Sequence, residues 1–220
     1  MILSASTLNI GPLAGTGEFV LRQTSNLGGD LSSGQFVTIR GDGNNAFITT
    51  PGSFANQGSI TVETTAASSA TLHLGTETLT NHFGGVLTFS GGGTGPRRLS
   101  GALDNRGQTN VAANATIGDV GLSHVNSGRL HVVATALFMG DALQNQTAGI
   151  VSGSGNLDVS GLDFNNAGTV APGQSTGALT ITGNPVFEAT SALEIELAVV
   201  SDHDKLQVRG KSTMARVLDL

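Results

Sequence analysis

The 220-residue chain contains no cysteine, tryptophan or tyrosine, and charged side chains make up only 12% of it. The absence of cysteine excludes a disulfide-linked scaffold and a cysteine-based zinc site. Soluble globular domains normally carry about 25% charged residues, so the charged share is about half the usual one. The chain is instead rich in glycine, with 32 residues. Its apolar share of 38% is ordinary, and it predicts a chain that folds rather than one that stays disordered.

Positive charge is also scarce, and the formal net charge is −6. The basic residues come in short steps, Arg97–Arg98 and the stretch from Lys205 to Arg209. A phosphate backbone is bound by a stripe of Lys and Arg that displaces its counterions, so we expect no nucleic-acid partner. No apolar run reaches about eighteen residues, the length that indicates a membrane-spanning helix. We therefore predict no transmembrane helix.

A repeat of Asn followed two positions later by Gly runs through the middle of the chain. An apolar or bulky residue stands two positions before each Asn. The clear copies are Phe54, Asn56 and Gly58; Leu103, Asn105 and Gly107; His124, Asn126 and Gly128; and Phe164, Asn166 and Gly168. In two looser copies, Asn81 and Asn145, the Gly is delayed to Gly84 and Gly149. The six Asn are 25, 24, 21, 19 and 21 residues apart, and such a period is the signature of stacked repeats.

Short alternating segments between the Asn residues indicate strands, while no stretch shows the 3.6-residue spacing of a helix. Examples are residues 59–63 and 129–133 after an Asn, and residues 70–74 later in the period. Each repeat exposes an apolar row that only the next coil, about 4.8 Å above it, can bury. We predict an all-β fold, a right-handed parallel β-helix (solenoid) of about nine to ten coils. A β-sandwich, or independent hairpin turns at each Asn-x-Gly, remains the alternative.

The repeated Asn and Gly have a physical role in this prediction. Asn tolerates the left-handed backbone region, and its amide both donates and accepts hydrogen bonds. Amides stacked in register therefore form a ladder along the axis, and the Gly provides positive φ and close approach of coils. The predicted structural ladder consists of Asn56, Asn81, Asn105, Asn126, Asn145 and Asn166.

The last part of the chain carries a longer pattern. It comprises Asn166, Gly168, Val170, Pro172, Gly173, Ser175, Gly177, Leu179, Ile181 and Gly183, then Ser191, Leu193, Ile195 and Leu197, then Asp204, Leu206, Val208 and Gly210. This resembles the C-terminal part of the β-helical stalks of autotransporter passengers and related bacterial exoproteins. The resemblance implies that the last strands finish or cap the helix and that the stalk is a rigid display rod. Residues 211–220 depart from the family, which continues there with Gly-rich strands.

Gly173, Ser175 and Gly177 match the G-x-S-x-G pattern of serine hydrolases, in which a sharp turn before a helix exposes the nucleophile. In a hydrolase, His203 between Asp202 and Asp204 would be the nearest candidate base in sequence. A strand rather than a helix follows Ser175, so we favour a corner of the β-helix. Asp202, His203 and Asp204 also suit a divalent metal, but we favour a polar loop and predict neither a metal nor a cofactor.

Four other carboxylates could belong either to the active site of a polysaccharide enzyme or to an ordinary solvated surface. Asp158 and Asp163 could line a groove for a polysaccharide, as acidic residues do in β-helical enzymes, although no Lys or Arg cluster accompanies them. Glu194 and Glu196 share one side of a strand, and are more simply the solvated face of a capping strand. In that interpretation the inward side chains are Leu193, Ile195 and Leu197.

We therefore predict β-helix coils over residues 1–184 and terminal coils or a cap of the same solenoid over residues 185–220. The predicted function is that of a structural or interaction segment of a secreted or cell-surface bacterial protein, with a carbohydrate or protein ligand on one face. The alternative is a hydrolase acting on a polysaccharide or an ester. Because residues 1–15 lack the basic head and apolar centre of a signal peptide, we expect an internal segment. Open strand edges predict end-to-end homo-oligomers.

Overall fold

The computed structural model describes residues 1–11, 15–119, 121–133, 135, 137–173, 176–199 and 202–215. Within these ranges no helix forms, and so none that could cross a membrane. In chain order the strands are β1 (Ile2–Ser4), β2 (Thr7–Asn9), β3 (Gly17–Arg22), β4 (Thr24–Gly28), β5 (Gln35–Gly41), β6 (Ala46–Thr49), β7 (Phe54–Asn56), β8 (Ser59–Thr64), β9 (Ala70–Asn81), β10 (Val86–Ser90), β11 (Arg97–Asn105), β12 (Gln108–Val111), β13 (Ala115–Ile117), β14 (His124–Asn126), β15 (Arg129–Val132), β16 (Leu137–Met139), β17 (Leu143–Asn145), β18 (Ile150–Gly153), β19 (Asn156–Asn166), β20 (Thr169–Pro172), β21 (Ala178–Phe187), β22 (Ala192–Leu193), β23 (Leu197–Val199), β24 (Asp202–His203), β25 (Lys205–Arg209) and β26 (Thr213–Met214).

The strands stack as a parallel β-helix, which confirms the predicted fold class. One sheet, here called the first face, contains ten strands in the order β1-β3-β5-β8-β10-β12-β15-β18-β20-β22. The other large sheet bends at a corner that the long strands β9, β11, β19 and β21 pass through. For example, β9 pairs with β6 before the corner and with β7 after it. We call the two parts the second and third faces, and the third face ends at the repeated Asn.

The core consists of side chains that alternate inward along each strand and stack from coil to coil. On the first face, Ile39, Val62 and Phe89 form one such fully buried column. The column on the third face contains Phe54, Leu79, Leu103, His124, Leu143, Phe164 and Pro185. Burial of apolar area at about 25 cal/mol per Å² drives this stacking, so a coil is stable only against its neighbours.

The six repeated Asn side chains are buried. They form a continuous hydrogen-bonded row inside the corner at the end of the third face. The Nδ2 of each of the first five Asn donates to the Oδ1 of the Asn in the next coil, at 2.8, 2.8, 2.7, 2.7 and 2.6 Å in chain order. The same Nδ2 atoms donate to a backbone carbonyl at the start of a first-face strand, such as the carbonyl of Gln108 for Asn81 at 3.0 Å. The row ends at Asn166, because its register partner in the next coil is Phe187.

The backbone of these corners differs from our expectation. Positive φ values among described non-glycine residues occur at Ala5 and Gln23, not at the repeated Asn, and the Gly of the clear copies also lacks positive φ. The Gly is required by space instead, since a Cβ on Gly128 would lie 2.1 Å from the carbonyl oxygen of Gly107 in the preceding coil. The corner therefore selects Asn for its amide and Gly for close approach of coils.

A buried arginine holds a second corner, the glycine-rich loop over residues 91–96. Arg97 occupies an inward position on the second face, in register with Ala70, and is 4% exposed. Its guanidinium donates to four backbone carbonyls of the loop region, those of Ser90, Gly91, Gly93 and Gly95. Burial, which is opposed by the charge of Glu63, lowers the pKa of Arg97 below its ordinary value. The side chain replaces an apolar contact with a cage of carbonyl oxygens.

The stretch between β22 and β25 leaves the coil pattern. The N–H of Glu194 still bonds to the carbonyl of Val170 below it, but the N–H of Glu196 bonds to the Asp204 carboxylate. Strands β23 and β24 then pair with each other antiparallel. The expected inward row is consequently wrong, because its three side chains are exposed: Leu193, Ile195 and Leu197 by 37%, 37% and 77%.

Candidate functional site

The described hydrolase candidates do not lie together at one site, and Asp204 has a structural role as an acceptor of backbone hydrogen bonds. Ser175 lies outside the described residues. His203 is in β24, opposite Leu197 in the antiparallel pair. Asp204 is 6% exposed, and its two oxygens accept the N–H groups of Gly177 and Glu196 at 2.9 Å each. Asp204 therefore links the backbone at Glu196 to the backbone at Gly177 in the coil below.

Asp158 and Asp163 lie on the same strand but on different faces, because the pairing of β19 is irregular between them. Asp158 is on the second face, where its Oδ1 accepts the N–H and the Oγ–H of Ser160 at 2.9 and 2.6 Å. Asp163 is on the third face, exposed and opposite Asn184. The two carboxylates thus do not form a pair across one groove.

A shallow groove of about 460 Å³ lies beside Asp204, between the first face and residues 194–196. Its walls carry Arg129, Ser152, Glu194 and Glu196. The Oγ of Ser152 accepts from Arg129 Nε at 3.1 Å and contacts His131 Nδ1 at 3.0 Å. Cation and carboxylates are mixed here, and within the described ranges no group of three His, Cys, Asp or Glu side chains is placed to hold a metal ion.

The second face brings together outward residues, and of these the sequence marks only Asp158 as a candidate site residue. Its outward side chains form one row across nine strands, which we call the Phe–Arg row: Thr24, Phe47, Thr71, Arg98, Thr116, Phe138, Asp158, Thr182 and Arg209. None of these side chains is buried. Phe47 and Phe138, on β6 and β16 of this face, are 41% and 43% exposed, although phenylalanine is most often buried.

A polar cluster adjoins the Phe–Arg row and consists of His73, Arg98, Ser100 and Asp119. Ser100 Oγ donates to Asp119 Oδ2, and Arg98 donates to Asp119 Oδ1. Since its own hydrogen is used, Ser100 Oγ accepts from His73 Nδ1 at 3.0 Å. The His73 ring in turn packs against Phe47, with 5.0 Å between ring centroids and 32° between planes. The cluster is therefore one connected unit from an aromatic ring to an ion pair.

The order of groups in this cluster suits binding rather than nucleophilic catalysis. Partial burial raises the pKa of Asp119, but the hydrogen bonds from Ser100 and Arg98 outweigh it and hold that pKa below its ordinary value. A carboxylate with a lowered pKa is a poor base. Ser100, at 4% exposure, is also out of reach of a substrate, and a carboxylate rather than an imidazole takes its hydrogen, unlike a hydrolase triad.

No family model, no curated protein and no solved structure matches the chain. The fold therefore defines the class by itself: the chain is a parallel β-helix with a buried Asn row and one aromatic and polar outer face.

Proposed function

We propose that the chain is a rigid, non-catalytic rod in a secreted or cell-surface bacterial protein, an adhesin-like stalk of the autotransporter type that presents a binding face. The observation that carries the proposal is the uninterrupted parallel pairing of ten strands on the first face. Together with five amide-to-amide bonds in the Asn row, it ties every coil to the next over most of the chain. Such a stack transmits load and holds its outer faces in fixed positions.

The location outside the cell rests on the sequence. Exported bacterial proteins often avoid free thiols, and the chain has no cysteine. The resemblance to autotransporter stalks runs from about Phe164 to Lys211, and all of its apolar pattern residues except Ile195 fall on β20, β21, β22, β23 and β25. Both arguments support export and a display role. Neither identifies the ligand, which has to be inferred from the side chains on the exposed faces.

The location is tested with antibodies raised against the purified chain. They are expected to label intact, unpermeabilised cells of the organism that carries the gene. Labelling that requires permeabilised cells would contradict the proposal.

The absence of catalysis is tested with chromogenic glycosides and p-nitrophenyl esters. No turnover is expected from the wild-type chain. Turnover that is abolished by Ser175→Ala, His203→Ala or Asp158→Ala would establish the hydrolase alternative instead.

A further inference from the structure

The part of the Phe–Arg row between Phe47 and Phe138 has the dimensions of a binding site for an extended chain. The two rings lie four coil steps apart, through Thr71, Arg98 and Thr116. At about 4.8 Å per step, the separation is about 19 Å along the axis. Both rings are exposed, and aromatic faces of this kind stack on apolar surfaces of ligands.

The surface between the rings offers hydrogen bonds but little net charge. Thr71 and Thr116 contribute hydroxyls, and neither is buried. The guanidinium of Arg98 is paired with Asp119, so its remaining N–H groups can donate without creating a strong positive field. A polyanion such as nucleic acid or an acidic polysaccharide would find no excess of cations here.

We propose that this stretch binds a neutral β-1,4-linked glycan lying parallel to the helix axis. In such an extended chain each sugar advances by about one coil spacing, so five sugars match the five coils from Phe47 to Phe138. The terminal sugars stack their apolar faces on the two rings, and the sugars between them bond to Arg98 and the two threonines. The inference rests on the proposed function, since it names the ligand of the face that the rod presents.

A glycan fits this surface better than a protein does. Stable protein interfaces bury a contiguous patch with an apolar centre, whereas here the two rings are at opposite ends and the centre is polar. Successive sugars of an extended β-1,4-linked chain alternate in facing, so the first and fifth sugars, four coil steps apart, present the same face to Phe47 and Phe138. A row of single contacts then adds up over the length of the ligand.

Isothermal titration calorimetry with cellopentaose and chitopentaose tests the proposal. At least one of these pentasaccharides is expected to bind, and to bind about tenfold more tightly than the corresponding disaccharide, which cannot reach both rings. Phe47→Ala and Phe138→Ala are each expected to weaken binding about fivefold to tenfold. The matched control is Phe36→Ala, because Phe36 is 52% exposed on the first face, and binding by this variant should be unchanged.

Far-UV circular dichroism verifies that the three exposed variants stay folded, and the comparison of pentasaccharide with disaccharide needs no variant. Absence of pentasaccharide binding, equal affinity for the disaccharide, or equal weakening by Phe36→Ala would each overturn the glycan site. Sedimentation velocity tests whether the surface binds a second copy of the chain instead. A dimer that Phe47→Ala and Phe138→Ala abolish would assign the surface to self-association. In these cases surface labelling of cells still tests the rod function separately, whereas shortened glycan products in the titration cell would overturn its non-catalytic character.

Discussion

One buried histidine makes the stability of this rod dependent on pH. His124 stands in the apolar column of the third face, in register with Leu143, and is fully buried. Its Nδ1 accepts the N–H of Leu103 at 3.1 Å, which fixes the neutral tautomer with the proton on Nε2. That Nε2 has no hydrogen-bond partner among the described residues. We expect protonation of this side chain to destabilise the fold in acid.

The magnitude follows from the pKa of His124. Burial lowers this pKa from 6.5 to about 4, although the nearby charges of Asp141 and Asp119 act in the opposite direction. The unfolded chain therefore takes up a proton near pH 6.5 that the folded chain refuses until about pH 4. The stability is complete above pH 6.5 and falls as the pH drops towards 4. The loss over this interval is roughly 3 kcal/mol.

The assay is urea unfolding followed by far-UV circular dichroism at pH 7.5, 6, 5 and 4. Carboxylates also titrate in this range, so the quantity to compare is the difference in unfolding free energy between wild type and His124→Leu. This difference should shift by about 3 kcal/mol in favour of the variant between pH 7.5 and 4. Leu143→Ala, a control for a loosened core, costs about 2–5 kcal/mol at every pH. A constant difference between wild type and His124→Leu would refute the reasoning.

Three further predictions concern the stack and its ends. Asn105→Ala leaves a donor of Asn81 and an acceptor of Asn126 buried without partners, so urea unfolding should show a loss of about 3–5 kcal/mol; Asn166→Ala at the end of the row should cost clearly less, and equal losses would contradict a cooperative row. Arg97→Leu should cost about 2–4 kcal/mol because four carbonyls lose their donor, whereas Arg98→Leu, in a partly exposed ion pair, should change stability by less than about 1 kcal/mol. The open strand edges at the two ends predict end-to-end oligomers, and light scattering that shows only monomer at high concentration would contradict this.

Regular spacing made the fold predictable. Six Asn recur at intervals of 19 to 25 residues, and in the structure their amides lie one above another. The Gly that follows them was also readable as a corner, although its reason is the close approach of coils rather than positive φ. These residues are visible in sequence because the same Asn corner recurs in each of the six coils that carry the row.

The Phe–Arg row could not be found in the same way. Its residues stand 9, 10, 7, 10, 7 and 8 positions before the Asn of their own coils, from Phe47 to Asp158. Corners of different length between the second and third faces absorb these differences, so no fixed offset connects Phe47 with Phe138. The ion pair of Arg98 with Asp119 likewise joins residues 21 positions apart.

The sequence alone determined that strands stack with a period close to the Asn spacing, because each strand has an apolar side that only another coil can cover. It also determined which amides are internal. Only the tertiary structure decided which outward side chains share a face. The sequence of a strand reveals which residues alternate, but it does not reveal the register of that strand with the next coil. It decided as well that Asp158 and Asp163 separate, that Asp204 serves as a fastener, and that two phenylalanines meet an ion pair on one surface. Those outcomes depend on loop lengths at the corners, which a short-range pattern does not encode.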